Sequence, residues 1–313
     1  MQVESSSTAA RARPFVVAPA WFASLVAVEL FALWLIVTTG AAVRLTDSGL
    51  GCEHWPGCEA GHPLPAKDYH AFIEFGNRVV GGATILLTLI VALAAWGTPL
   101  LGRGARRLAA AVFLGTLAQA PLGYLAVQTD LRWPVVAAHL LLSMLLVAGA
   151  VVLIFLAFEL VLGRAEPLVP RELQRLGLAV AGLGLALLVS GALATAAGPH
   201  SGGGTTAVER FARLEPVVYA HGGVVGLFGC SFLFLLGYLA STRARSPRLF
   251  AAALVVLAIL LVQAGLGELQ YRLHLPWYLV LVHVGVAATA WLGVVALVTA
   301  LWRPPAALAP SAA

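Results

Sequence analysis

Three histidines in this 313-residue sequence lie inside long apolar runs: His139, His221 and His283. An imidazole in hydrocarbon is costly and marks a bundle interior or a cavity. Their spacing ties them together. Residues 119–139 and 263–283 both begin Gln-Ala-x-Leu-Gly-x-Leu and both end in histidine. They also carry Leu and Trp at matched places (Leu131, Trp133; Leu275, Trp277), at an offset of 144. The same offset carries His221 back to Asn77. The second half of the chain thus holds a histidine pair, where the first half holds Asn77 and His139. Two imidazoles meeting across a helical bundle suit the axial positions of haem iron. Zinc prefers four N, S or O ligands, and no Cys or carboxylate lies near the pair in sequence. A neutral histidine bonded to a backbone carbonyl is the plain alternative for any one of the three, and the pairing argues against it.

The first half departs from this pattern in a chemically informative way. Glu74 precedes Asn77 by three residues, on the same helical face, and its counterpart in the second half is Val218. A bis-histidine iron passes electrons, whereas a site short of one ligand with a carboxylate nearby suits chemistry, because a carboxylate moves protons. Glu74 is therefore the catalytic candidate, set against a structural ion pair with Arg78, four residues on. Cys52 and Cys58 lie in GCEHWPGC. Three readings stay open: a structural disulfide in an oxidising compartment, a redox-active pair, or a metal site completed by His54. Cys230 reads as a small core residue of a span. His54, His62, His70, His200 and His274 fall in loops or at span ends, where a solvated ring is the ordinary expectation.

The elements that must position these residues are membrane helices. The sequence is 60% hydrophobic and 11% charged, against roughly 25% charged residues in a soluble domain. Eight apolar runs long enough to span a bilayer fall at 21–43, 71–96, 107–127, 134–160, 175–197, 216–240, 248–268 and 276–302. The first is too long for a signal peptide core. Pro134, Pro216 and Pro276 fit first-turn positions. The expected fold is all-α: a polytopic membrane protein with eight transmembrane helices in two pseudo-symmetric four-helix bundles. The halves are 21–160 and 175–302, joined by a linker at 161–174 and flanked by tails at 1–20 and 303–313. Each half begins and ends on one side of the membrane, so the repeat is parallel. Twelve arginines fall on the side of the termini (Arg11, Arg13, Arg103, Arg106, Arg107, Arg164, Arg171, Arg175, Arg243, Arg245, Arg248, Arg303). Six basic residues fall on the other (Arg44, Lys67, Arg132, Arg210, Arg213, Arg272). The bias places both termini in the cytoplasm and the long loops 44–70 and 198–215 outside. The net charge of +5 records this topology and is no sign of nucleic-acid binding. Lys67 is the only lysine, in keeping with a GC-rich bacterial genome and a plasma-membrane location.

Taken together, these stretches resemble the haem A synthase family, membrane enzymes of terminal oxidase assembly. The resemblance rests on TGAAVRLTDSGLGCEHWPGC after the first span, IEFGNR opening the second, His139 in the fourth, GPHSG after the fifth, His221 in the sixth and His283 in the eighth. It implies haem b between His221 and His283. It further implies haem O as substrate in the first half, with its C8 methyl oxidised to a formyl group, Glu74 as the catalytic carboxylate, and a Cys52–Cys58 disulfide. Asn77 stands where many members have histidine. The substrate iron is accordingly expected on His139 alone or with a weaker sixth ligand, His70 being the first alternative. Arg44, Arg78, Arg132, Arg210 and Arg272 gather at the outer span ends as candidates for haem propionates, Arg78 foremost. The partners implied are the lipid bilayer, haem O, an unidentified electron acceptor and, from the pathway, the haem O synthase. A transmembrane dihaem b-type electron-transfer cytochrome is the main competing function, and a transporter with parallel repeats the third.

Overall fold

The computed structural model describes residues 15–308 apart from 60, 63, 66, 67, 204–207 and 245. The first fourteen and last five residues, Lys67 and Arg245 lie outside the described residues. The elements are α1 (Pro19–Leu45), α2 (Tyr69–Gly97), α3 (Arg103–Gln128), α4 (Trp133–Leu162), α5 (Arg171–Ala197), α6 (Leu214–Ser241), α7 (Pro247–Arg272) and α8 (Trp277–Trp302), with a short 3-10 turn at Ala306–Leu308. All eight α-helices are long and apolar enough to cross a membrane. Helices α3 and α5 begin about one turn before their apolar runs, at Arg103 and Arg171. Long arginine side chains let a helix start in the headgroup region. Pro134 lies in the first turn of α4 and Pro216 in that of α6, whereas Pro276 is the N-cap of α8. Asp68 caps α2, its carboxylate accepting from Ala71 N at 3.0 Å.

Each half closes into a ring. Helices α1 and α3 each pack on α2 and α4, and α5 and α7 each pack on α6 and α8. Helices α2 and α4 therefore lie diagonally, as do α6 and α8. The rings meet along a seam where α8 rests on α1 and α4, and α4 on α5. Buried indoles bridge it: Trp34 Nε1 donates to Gly285 O (3.3 Å) and Thr289 Oγ1 (3.1 Å), and Trp291 Nε1 donates to Met144 O (2.9 Å). Without water, each N–H must find such a partner. Apolar side chains such as Leu86, Leu93, Phe234, Val255 and Leu261 are exposed on the outer faces, as lipid contact requires.

The two long loops, 46–68 and 198–213, emerge at the same end and touch. Gly49 N donates to Gly202 O (2.9 Å), and Gly202 N to Asp47 Oδ1 (3.3 Å). A Cβ on Gly49 would stand 2.9 Å from Leu131 Cδ1 and 3.0 Å from Gly202 O, so the contact needs glycine. The first loop is seven residues longer than the second. That is why α1 matches α5 at an offset of 151 while the later helices match at 144.

Packing is uneven along the rings. Fully buried apolar side chains collect at the end away from the loops: Phe22, Val26, Val91, Ala95 and Leu153 in the first ring, and Leu173, Phe232, Leu235, Leu249 and Leu301 in the second. Polar ties secure that end. Gln174 Nε2 donates to Leu301 O (3.1 Å), Trp302 Nε1 to Gln174 O (3.2 Å), and Arg303 pairs with both oxygens of Glu159 (2.7 and 2.5 Å). Toward the loops, Thr39, Asn77, Gln119, His139, Ser190, His221, Gln263 and His283 stay only half-buried. Each ring is thus packed solid at one end and less fully buried at the other. Cys230, expected in the core, is exposed on α6; on an all-apolar helix, sequence alone does not separate the lipid-facing side from the interior.

Candidate functional site

His221 sits seven residues into α6 and His283 six residues into α8, roughly 10 and 9 Å below the loop-side helix ends. The two rings lie within electrostatic reach of each other. Their hydrogen bonds define which nitrogen is free. Ser190 Oγ donates to Leu187 O (3.0 Å) and lies 2.8 Å from His221 Nδ1. With its only hydrogen used, the hydroxyl accepts from Nδ1–H, so the lone pair remains on Nε2. The carboxamide nitrogen of Gln263 stands 3.0 Å from His283 Nε2. An amide nitrogen only donates, so His283 also carries its lone pair on Nε2, while its Nδ1 has no partner. Both imidazoles thus carry their lone pair on Nε2, and only that of His283 is taken up by a neighbouring donor, Gln263. Each ring also lies flat against a glycine of the preceding helix: a Cβ on Gly191 would be 3.3 Å from His221 Cε1, and one on Gly267 3.1 Å from His283 Cε1.

The first ring repeats the scaffold with different atoms. Thr39, which matches Ser190, donates to Asn77 Oδ1 at 2.8 Å. Gly40 and Gly123, matching Gly191 and Gly267, approach Asn77 Oδ1 and His139 Cε1, with would-be Cβ distances of 4.0 and 3.6 Å. Gln119, the counterpart of Gln263, turns away from the imidazole. Its Nε2 donates to His139 O (3.1 Å) and Ser143 Oγ (2.6 Å), leaving His139 Nδ1 buried without a partner. The cause is local: Ser143 offers an acceptor where the second ring has Ala287.

Glu74 is buried at 5% exposure and held on both oxygens. Oε2 accepts from Cys52 N (2.8 Å), and Oε1 pairs with Arg78 (2.5 Å). The ion pair weighed in the sequence therefore forms, and it reaches further than one helix turn. Arg78 also donates to the carbonyls of His54 (2.7 Å), Pro56 (3.4 Å) and Gly57. Cys52 and Cys58 are joined as a disulfide, so neither thiolate is free to take a metal with His54. The bonded loop packs on Ala71 and Phe75 of α2. Among the described residues no three His, Cys, Asp or Glu side chains converge as a metal site. A tetrapyrrole iron needs only two protein ligands, and the second ring offers Nε2 of His221 and, beneath the Gln263 carboxamide, Nε2 of His283.

The remaining candidates separate clearly. His70 is exposed and bonds through Nδ1 to Ser48 Oγ (3.0 Å), so the structure turns it to the loop rather than toward Asn77. His200 Nε2 donates to Leu275 O (2.7 Å). Arg272 pairs with Glu268 on the exposed surface (2.5 Å). The spacing argument missed four residues. Thr39 and Ser190 escape it because their offset is 151, and Gln119 and Gln263 mark the repeat without showing what they hold. It also passed over Glu29, fully buried in α1 with both carboxylate oxygens unpartnered. A lone acid inside the first apolar run was the available signal.

Comparison with known proteins agrees with this arrangement. The sequence matches the COX15-CtaA family, described as cytochrome oxidase assembly protein, over residues 23–295. A Heme A synthase of Shewanella oneidensis is 25% identical over 325 aligned positions, covering 89% of this chain and 96% of the relative. Heme A synthases of Bacillus pumilus and Bacillus licheniformis are 32% and 33% identical over 135 residues. Those two alignments cover 42% of this chain and 43% and 44% of the relatives, under half of their length. With the family model spanning both rings and every candidate residue in them, the chain belongs to the COX15-CtaA cytochrome oxidase assembly protein family.

Proposed function

We propose that this protein is a haem A synthase that oxidises the C8 methyl of haem O to a formyl group. Two successive hydroxylations and loss of water give the aldehyde. With water as oxygen source, the conversion releases four electrons and four protons, so it needs an electron acceptor and a proton acceptor beside the methyl. The observation that carries this reading is the chemical asymmetry of two matching sites. One ring presents His221 and His283 as a pair of imidazoles with their lone pairs on Nε2, that of His283 capped by the Gln263 carboxamide. The other presents His139, Asn77 and, one turn nearer the loops, the buried carboxylate of Glu74.

Haem b fits the second ring, held by Nε2 of His221 and His283, and when bound it supplies one-electron transfer. Ser190 holds His221 with its lone pair on Nε2, Gln263 bonds His283 at Nε2 itself and would release that nitrogen to the iron, and Gly191 and Gly267 leave space for the two imidazoles. In the first ring His139 is the protein ligand to the substrate's iron. Asn77, held by Thr39, keeps the opposite position free of imidazole. Glu74 retains unused lone pairs beside Cys52 N–H and Arg78, and receives protons released at the methyl. The loops face outward and both termini the cytoplasm, in line with the twelve-to-six bias of basic residues. The dihaem cytochrome would want two complete ligand sets, and Asn77 argues against it.

Haem extraction and chromatography from wild type and Glu74→Gln tests the reading. Haem O or its hydroxylated intermediate should accumulate in the variant. Normal haem A would remove Glu74 from the mechanism, and haem b as the sole pigment of wild type, after expression with a haem O supply, would favour the cytochrome.

A further inference from the structure

The second ring has a mouth of its own, with two arginines beside it that form no ion pair among the described residues. Of the loop-side arginines, Arg78 is committed to Glu74 and three loop carbonyls, and Arg272 to Glu268. Arg44 and Arg210 differ. They line one narrow cavity of about 30 Å³ at the seam, walled by Leu131, Trp133 and Leu140 on one side and by Ala192 and Thr195 on the other. Arg44 donates to Thr195 O (2.7 Å), and its Nε is buried without a partner. Arg210 donates to the carbonyls of Gly198 and Pro199 (2.5 Å to the latter). Glu209 lines the same cavity but forms no ion pair with either. Two guanidinium groups share a largely apolar cavity with carbonyls and with Glu209, which pairs with neither, an arrangement that a carboxylate placed between them would complete.

Arg210 also lines a second, wider opening of about 590 Å³, with Ala197, Leu214, Tyr271, His274 and Leu275. Leu214 begins α6, and Leu275 lies two residues before α8. The opening therefore sits at the mouth of the second ring, roughly one porphyrin-sized step of 10 Å above His221 and His283. The turns beside the two mouths differ in charge. Its matching turn holds Asp130 and Leu131 where the second has His274 and Leu275, and all four residues adopt left-handed backbone (φ 50, 58, 63 and 60°). An acid at one mouth and an imidazole at the other give opposite welcomes to an anion.

We propose that Arg44 and Arg210 form a carboxylate site at the seam, and that its ligand is a propionate of the tetrapyrrole held between His221 and His283. This rests on the haem b reading above and extends it to the ring's anionic edge. Guanidinium forks bind carboxylates through paired N–H donors, and here they retain the resident group in one ring only. The acidic turn of the other leaves its pigment free to exchange.

The test is a Soret titration of the full-length protein, produced under haem-limited growth, with ferric haem b and with its dimethyl ester. The ester keeps ring and iron and lacks both negative charges. Wild type should bind haem b about tenfold or more tightly than the ester. Arg210→Gln and Arg44→Gln should lose most of that preference at unchanged ester affinity, and Arg210→Lys should recover part of it. Equal binding of both pigments by wild type, or full preference in both glutamine variants, overturns the carboxylate site alone. Failure of wild type to bind either pigment overturns the resident-haem reading and this site with it.

Discussion

Ser190 and His221 stand 2.8 Å apart, and because the serine proton goes to Leu187 O, the imidazole is locked with its lone pair on Nε2. Ser190→Ala removes that lock without touching the ligating atom. Loss of an outer partner of a metal-bound histidine lowers affinity by roughly 10- to 100-fold. Haem b per protein after dialysis should fall accordingly in Ser190→Ala and be retained in Ser190→Thr, which keeps a hydroxyl.

The four cradle glycines predict a graded series. The would-be Cβ contacts are 3.1 Å at Gly267, 3.3 Å at Gly191, 3.6 Å at Gly123 and 4.0 Å at Gly40. Overpacking costs about 1–3 kcal/mol where neighbours cannot move. Alanine should therefore displace His283 most and leave Asn77 untouched. The fraction of low-spin signal in the electron paramagnetic resonance spectrum should fall most in Gly267→Ala, less in Gly191→Ala and not at all in Gly40→Ala.

Asn77 occupies a position already furnished for histidine, with Thr39 placed as Ser190 is in the other ring. Asn77→His should convert the first site into a second bis-imidazole site. With haem O bound, a second low-spin species is expected and formyl product should decline. An unchanged spectrum would mean that position 77 does not face the substrate iron.

Arg78 fastens the disulfide loop through the carbonyls of His54, Pro56 and Gly57. Its replacement should free residues 53–57. Limited proteolysis of Arg78→Ala should cut there several times faster than wild type, with the Cys52–Cys58 bond intact. A cleavage rate equal to wild type would show that the disulfide alone holds the loop.

Glu29 has no donor for either oxygen, and its match in α5 is Val180, also fully buried. A buried polar group without a partner costs about 1–3 kcal/mol. Glu29→Met, of similar volume, should raise the thermal midpoint by a few degrees. A lower midpoint would reveal a stabilising partner for the acid.

Much of this architecture is legible in the sequence because a bilayer imposes a coarse code. Apolar length gives the helices, and the 144-residue echo pairs His139 with His283 and Asn77 with His221. The code blurs where geometry decides. Ser190 and Thr39 stand on helices displaced by a loop seven residues longer, so a single offset misses them. Gln119 and Gln263 are identical in sequence yet bond differently, because Ser143 stands where the other ring has Ala287. Arg78 looks like any loop-side arginine until folding brings His54, Pro56 and Gly57 over it.

The seam also sets an order of events during synthesis. Helices α1 to α4 can close their ring as soon as they leave the ribosome, yet Trp34 must wait for Gly285 and Thr289, and Met144 for Trp291. These partners lie on α8, made after all the other described spans. Until it arrives, Trp34 on α1 and the Met144 carbonyl on α4 lack these partners. The nascent first ring is thus a half-built assembly with one wall open, and the arrival of α8 is the moment at which the two sites are first held in fixed relation.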